Sequence, residues 1–403
     1  MGDEQLTLGG AARRLKFAFC LIGLVALAGS FALEWFYGGG HGDLRYFMHS
    51  YLFNYCYVLS IALGALFFVA LQHACRAGWS VTVRRLSELL AAPLPLLAVL
   101  ALPIIVPALL GQSTLYPWAN SAAVAKDELL SHKAPYFCPV FFGLRSLGYF
   151  VVWWLLARFF LLRSVQQDGS GDVRLTLRMQ RLGGFALVLF ALTVTFASFD
   201  WLMSLNPRWF STIFGVYYFS GAVVGFLAAV ILLAMSLQAG GRLEASITVE
   251  HYHDLGKLLF AFVIFWGYIA FSQYLLIWYA NIPEETDWYL VRQAGGWATV
   301  SLVLLFVHLL IPFFGLLSRE VKRRKALLGF WAVWLLVAHW IDLYWLVMPS
   351  VAPAAPPLRA TDIGCLLGIG CLYLAAIFHA ADGRALVPVG DPRLAESLAF
   401  ENS

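Results

Sequence analysis

Ten stretches of about 20 mostly apolar residues run through this chain of 403. Each is long enough to cross, as a helix, the roughly 30 Å hydrocarbon core of a bilayer. They lie near residues 15–36, 50–72, 89–110, 138–161, 183–205, 213–237, 256–280, 296–317, 326–348 and 362–382. In hydrocarbon every backbone N–H and C=O must be paired within the protein, so unbroken apolar runs of this length form helices. A β-barrel would need short alternating segments instead. The third stretch carries Pro93, Pro95, Pro103 and Pro107 and is expected to bend, with neighbours taking up the freed carbonyls. Composition closes off the other classes. With 61% hydrophobic and 12% charged residues, the chain has about half the usual charged share. That is too little polar surface for a water-soluble globule and too little charge for a disordered chain. Cys20, Cys56, Cys75, Cys138, Cys365 and Cys371 sit in or beside the apolar stretches and read mostly as small core residues, neither a disulfide framework nor a metal cluster. The fold class expected is an all-α integral membrane protein of ten transmembrane helices.

Lysine and arginine set the expected orientation. Arg13, Arg14 and Lys16 precede the first stretch. Arg76, Arg84 and Arg85, then Arg163, Arg174, Arg178 and Arg181, then Arg242 and Lys257, then Arg319, Lys322, Arg323, Arg324 and Lys325 fall in the even loops, and Arg384 and Arg393 in the tail. Those nineteen stand against six on the other side: Arg45, Lys126, Lys133, Arg208, Arg292 and Arg359. Both termini are therefore expected in the cytoplasm. The net charge of +4 has this bias as its source, so no nucleic-acid partner is implied. The first apolar run is long enough to stay as a helix and is not expected to be cleaved as a signal peptide. No water-soluble domain is expected, the longest loops being 111–137 and 162–182.

Two stretches end alike. Phe199-Asp200 is followed by six residues and Pro207, and Ile341-Asp342 by six residues and Pro349. The stretches are four apart, so both lie in one orientation, as internal repeats in membrane proteins often do. The organisation expected is an N-terminal helix with its loop (1–49), a first four-helix bundle (50–205), a parallel second one (206–348) and a closing loop, helix and tail (349–403).

Ionisable groups deep in a membrane helix cost roughly 2.5–3.5 kcal/mol on insertion scales and so mark function by default. His308 and His339 fall near the middle of their stretches, and Asp342 lies one turn after His339 on the same helix face. Imidazole and a desolvated carboxylate exchange protons near neutral pH, so these three form a candidate proton path. Tyr268, Tyr344 and Gln273 are candidate hydroxyl or amide links. The competing reading is a helix–helix hydrogen-bond clamp. Arg145 and Asp200 both lie roughly 8–10 Å inside the same end of their helices. Carboxylate and guanidinium could serve a quinol as proton acceptor and carbonyl donor, so they form a candidate quinone site; a plain buried ion pair is the alternative. Glu34, Arg158, His73, Lys257 and His379 sit at helix ends and are expected to snorkel to the interface. Trp153, Trp154, Tyr217, Tyr218, Trp278 and Tyr279 read as interface belt or packing. No stretch has two buried histidines for a haem pair, though one haem between His308 and His339 is conceivable. There is no CxxC cluster for iron–sulfur and no nucleotide-binding P-loop. No metal site and no catalytic residue is assigned. Apart from a subunit role, the sequence also admits a secondary transporter, which would show broken helices and a central cavity.

Three longer stretches carry a resemblance. They are Ser50-Tyr51-Leu52 with Leu59 through Phe68 and Leu71-Gln72-His73; Phe199 through Pro207 with Trp209 through Tyr218; and His253 through Lys257 with Trp266, Tyr268, Ile269, Phe271 through Tyr274 and Trp278 through Thr286. Together they resemble the ActF-type membrane subunits of bacterial alternative complex III, the quinol:cytochrome c oxidoreductase, within the NrfD/polysulfide-reductase membrane-subunit family. The resemblance spans about residues 15–380. It implies two four-helix bundles and a subunit that itself holds no covalent or metal-ligated cofactor. It implies quinone, menaquinone or ubiquinone, as the small molecule handled. It also implies a related ActC-like membrane subunit, iron–sulfur and c-haem subunits and a terminal oxidase as partners, the bacterial inner membrane as location, and proton movement through Asp200, His308, His339 and Asp342 with Lys257, Tyr268 and Tyr344 as links.

Overall fold

The computed structural model describes residues 5–38 and 43–402. Among them there are helices and turns but no strand. Ten helices are long and apolar enough to cross a membrane: α1 Gly10–Tyr37, α2 Arg45–Ala74, α3 Val81–Leu109, α4 Pro139–Ser170, α5 Val173–Leu205, α6 Phe214–Ala239, α7 Val249–Ala280, α8 Gly295–Leu317, α9 Lys325–Ser350 and α10 Ala360–Ala381. The segments before α1 and after α10 meet, Leu386 N donating to the Leu6 carbonyl at 2.7 Å. That end is called the terminal face below, and the opposite end the far face.

The helices differ in how they sit. In α2, 94% of the most apolar window is buried, and in α6 72%; in α1 it is 17% and in α8 22%. So α2 and α6 form the centre. Helix α2 packs on α3, α5, α6, α9 and α10, and α6 also packs on α5, α7 and α9. A central membrane helix is apolar on every side because other helices, not lipid, surround it. Helix α1 lies outside, packed on α10.

Local chemistry explains the breaks. Helix α3 is interrupted at Pro93 and again at Ala101, before Pro103. Prolines lack the N–H for the ladder, and beside the second break Tyr51 and Tyr55 of α2 donate to the Leu100 and Leu97 carbonyls at 2.7 and 2.9 Å. Helices α4 and α5 run well past their apolar cores, so the expected loop 162–182 shrinks to Gly171 and Asp172. Gly171 takes the left-handed conformation that ends α4, and the Asp172 side chain caps α5 by accepting from Arg174 N. Loop 111–137 carries short helices, among them Glu128–Lys133. At the terminal face Lys322 caps α8, donating to the Leu316 and Leu317 carbonyls at 2.7 and 3.0 Å.

Several charged groups assigned to surfaces from the sequence are buried. Arg84 and Arg85 lie inside α3, where Arg84 pairs with Asp391 of the tail, and Arg85 with Glu88 at 3.0 Å and Asp168 at 2.8 Å. Glu34 does not snorkel: it is 4% exposed and pairs with Arg359 at 2.5 Å and Thr361 at 2.9 Å. His73 is also buried, stacked on Phe160. Pairing removes the reason to reach for water. The cysteines split, Cys56, Cys365 and Cys371 being buried and Cys75 and Cys138 exposed.

Candidate functional site

The site begins with a flaw in α8. Pro312 cannot donate to the carbonyl of His308, four residues earlier, and its ring pushes that carbonyl away. The ladder responds with a π-turn over Leu305–Leu310. Such bulges carry one extra residue and re-aim a side chain, often at functional sites. The indole of Trp334 on α9 takes up the loosened Val307 carbonyl at 2.7 Å. His308 is thereby turned into the protein, fully buried, its ring centroid 3.8 Å from that of Trp266 on α7 and 6.5 Å from that of His339 on α9. Neither His308 ring nitrogen has a hydrogen-bond partner among the described residues.

His339 reaches the centre because α6 has no side chain in its way. A Cβ on Gly221 would stand 2.8 Å from its Cε1, and one on Gly225 2.9 Å from its Cδ2. The imidazole lies across this glycine pair and touches Ser60 of α2, Nε2 to Oγ 2.8 Å. Ser60 Oγ is also 2.6 Å from the Tyr57 carbonyl, which can only accept, so the hydroxyl proton is committed there. The serine must then accept from His339, and the neutral ring carries its hydrogen on Nε2. Nδ1 is left with a lone pair. It faces Asp342 Oδ2 at 3.9 Å and has no hydrogen-bond partner among the described residues.

Asp342 is 1% exposed. Tyr217 of α6 donates to its Oδ1 in a short contact, and the Trp266 indole donates to its Oδ2 at 3.1 Å. No lysine or arginine among the described residues pairs with it. A lone pair therefore opposes a carboxylate oxygen with no hydrogen between them. A proton added to either atom turns that opposition into a hydrogen bond. One donor atom each from His308, His339 and Asp342 lies within 4.8 Å of the others, so the same three groups can also surround a metal ion. Tyr217 and Trp266 reach further, into the wall of a cleft of about 640 Å³ between α7, α8 and the short helix Pro283–Arg292. Tyr289, Arg292, Ser301 and Trp345 also line it. Burial pushes the Tyr289 phenol up to about 12, so it stays protonated at neutral pH. Arg292 caps α9, donating to the Leu346 carbonyl at 2.9 Å and lying against the Trp288 ring.

No protein-family model matches the chain, and no curated protein does. What the site does is therefore argued from its own atoms.

The remaining residues singled out from the sequence fall into two groups. Arg145 and Asp200 do meet. The guanidinium grips the carboxylate through Nε and Nη2, both at 2.8 Å, and Tyr149 donates to it at 2.7 Å. Arg145 Nη1 donates to the Tyr136 carbonyl, and the Tyr136 and Phe141 rings flank the guanidinium. A nearby cleft of about 420 Å³ is lined by Tyr136 and Ser204, not by Arg145 or Asp200. The other three stand apart from both sites. Tyr268 is 64% exposed on the outer surface of α7. Lys257 sits at the terminal end of α7, paired with Asp254 at 2.5 Å. Tyr344 donates to the Pro357 carbonyl at 2.6 Å. Helical phase explains this, since on one helix only residues three or four apart share a face. Gln273 links Ser211 and Tyr289 instead.

Sequence reasoning missed Ser60, Tyr217, Trp266, Gly221 and Gly225. Tyr217, read as belt or packing, is a direct donor to Asp342. Two signals were present: proline four residues after a mid-membrane histidine, and the Gly221-x-x-x-Gly225 pair that lets a neighbour approach.

Proposed function

We propose that this chain is an integral subunit of a quinol-oxidising respiratory complex of the alternative complex III type, and that His308, His339 and Asp342 are its proton-holding station. The observation that carries the reading is the lone pair of His339 Nδ1 set against the Asp342 carboxylate, buried and, among the described residues, without a lysine or arginine partner. A structural clamp would put a hydrogen between those atoms. A group that takes up and releases a proton leaves the place open. The ActF-like stretches supply the wider setting: bacterial inner membrane with both termini in the cytoplasm, two parallel four-helix repeats (α2–α5 and α6–α9), an ActC-like sibling, and iron–sulfur and c-haem subunits to take the electrons. The repeat is supported by like details at both Asp helices. Each ends in a 3-10 turn, Met203–Leu205 or Met348–Ser350, and each holds its neighbour through an indole on a serine, Trp201 on Ser146 and Trp345 on Ser301. The test uses the assembled complex in vesicles, with quinol oxidation and proton release recorded together. Asp342→Asn and His339→Gln are expected to lower protons released per quinol while the complex still assembles. Unchanged stoichiometry in both would end the reading.

A second reading, a quinol-binding chain, is favoured by the cleft beside Tyr217 and Trp266, which has the size and apolar lining of a small-molecule site. A photoreactive quinone should then label Trp266 or Tyr289, and labelling confined to the Arg145 region would count against that cleft.

A further inference from the structure

The cluster has a property that proton transfer does not need: its free donor atoms form the ligand set of a transition metal. His308 offers an unpartnered imidazole nitrogen, His339 offers the unpartnered Nδ1, and Asp342 offers a carboxylate oxygen with lone pairs beyond those bonded to Tyr217 and Trp266. Two imidazoles and one carboxylate, with a fourth position open, are the ligands of many zinc sites. The supporting contacts also match. The distal nitrogen of a metal-bound histidine is normally engaged by an oxygen that fixes the tautomer, and Ser60 Oγ does this for His339 Nε2 at 2.8 Å. The carboxylate is steadied by Tyr217 and by Trp266.

We propose that His308, His339 and Asp342 form a binding site for a divalent transition-metal ion of the zinc class. The proposal uses the side chains of the proton station but does not require that the station be used. Donors within 4.8 Å of one another surround a point that each reaches by moving less than about 1 Å, given zinc bonds of about 2.0–2.2 Å. The π-turn under His308 and rotation of the two side chains on α9 allow that movement. Imidazole nitrogen selects zinc, copper, nickel or iron over magnesium and calcium, which prefer all-oxygen shells. Tyr217 and Trp266, which bond Asp342, also line the cleft.

The experiment uses the full-length chain in detergent, dialysed against buffered Zn²⁺, with bound zinc counted by elemental analysis and its ligands read by X-ray absorption. One ion per chain is expected, with imidazole scattering in the spectrum. His308→Phe, which keeps a ring against Trp266, should remove the ion and the imidazole signature. Ser60→Ala removes a positioning residue outside the ligand set and should weaken binding by about 10–100-fold. His379→Ala, at the terminal end of α10, should change nothing. Thermal unfolding of each variant separates loss of the site from loss of the fold, and Ser60→Ala keeps the test open if His308→Phe does not fold. No bound zinc, or zinc retained in both His308→Phe and Asp342→Asn, overturns the proposal. Absent zinc together with a lowered proton yield in Asp342→Asn would end the metal site and leave the proton station standing. Bound zinc with an unchanged proton yield would do the reverse.

Discussion

Asp200 and Asp342 stand at matching ends of α5 and α9, each two turns before a proline, each buried and each bonded to a tyrosine. Their surroundings differ in one respect. Asp200 is gripped by Arg145 through two hydrogen bonds, so its charge is cancelled where it lies. Asp342 faces two imidazoles and, among the described residues, pairs with no lysine or arginine. A carboxylate gripped by a guanidinium has its charge and two of its hydrogen bonds matched by one partner. A carboxylate opposite a neutral imidazole can share a proton with it. One motif thus ends in a carboxylate paired with arginine in one case and in a carboxylate facing imidazoles in the other, and the neighbouring helix decides which.

The largest expected effect tests that contrast directly. Arg145→Met leaves Asp200 charged and buried, which should cost about 3–5 kcal/mol of stability. Asp342→Asn strands no charge and should cost about 1–3 kcal/mol, for an imperfectly matched donor. Denaturant unfolding in detergent compares the two, and equal losses would erase the distinction. Replacing both members of the first pair, Arg145→Met with Asp200→Leu, should restore most of the single-variant loss, since an apolar pair of similar volume often substitutes well. The tyrosines come next. Tyr217→Phe removes a hydrogen bond to a charged group, worth about 1.5–3 kcal/mol, whereas Tyr149→Phe should cost less because Arg145 still holds Asp200. A double-mutant cycle of each with its aspartate reads the difference. Glycines sharpen the comparison further. Gly225→Ala places a methyl against His339 and should cost about 1–3 kcal/mol from overpacking. Gly148→Ala on α4 meets nothing within 4 Å and should be neutral or slightly stabilising. If Gly225→Ala were as mild as Gly148→Ala, the close fit of His339 on α6 would be refuted.

The smallest effect is a pH dependence of the far-face loop between α3 and α4. Asp127 caps the helix Glu128–Lys133; the Leu130 backbone N–H, with help from Arg208, holds its carboxyl below the usual value. A lowered folded value means that the contribution is complete above the ordinary carboxylate value and fades as pH falls through the lowered one. Proteolysis between residues 111 and 138 should therefore speed up on acidification. Asp127→Asn, itself a good cap, should flatten that profile. A native profile no steeper than that of Asp127→Asn would remove the cap from the account.

Much of the architecture was legible. Ten apolar stretches became ten helices, and the bends in α3 followed from its prolines. Helix ends were less legible. The apolar window marks only the hydrocarbon crossing, while a helix supplies its own hydrogen bonds and continues into water; α4 and α5 do so as far as Ser170 and Val173. Within the site, His308, His339 and Asp342 were legible because ionisable groups are rare in apolar helices. Their donors were not, since Tyr217 and Trp266 look like any other aromatic of a membrane helix until a carboxylate is placed beside them.

By itself, then, the sequence determined the class of fold, the helices, and which few ionisable side chains fall within them, because hydrocarbon leaves the backbone one solution and makes each ionisable group in an apolar run conspicuous. Only the tertiary structure decided that Asp200 would be neutralised and Asp342 left open. That outcome depends on which side chain a neighbouring helix presents across a few ångströms: Arg145 on α4 in one case, and His308, turned inward by a π-turn on α8, in the other. Helical phase and close approach over two glycines set those distances, and neither can be read along one strand of sequence.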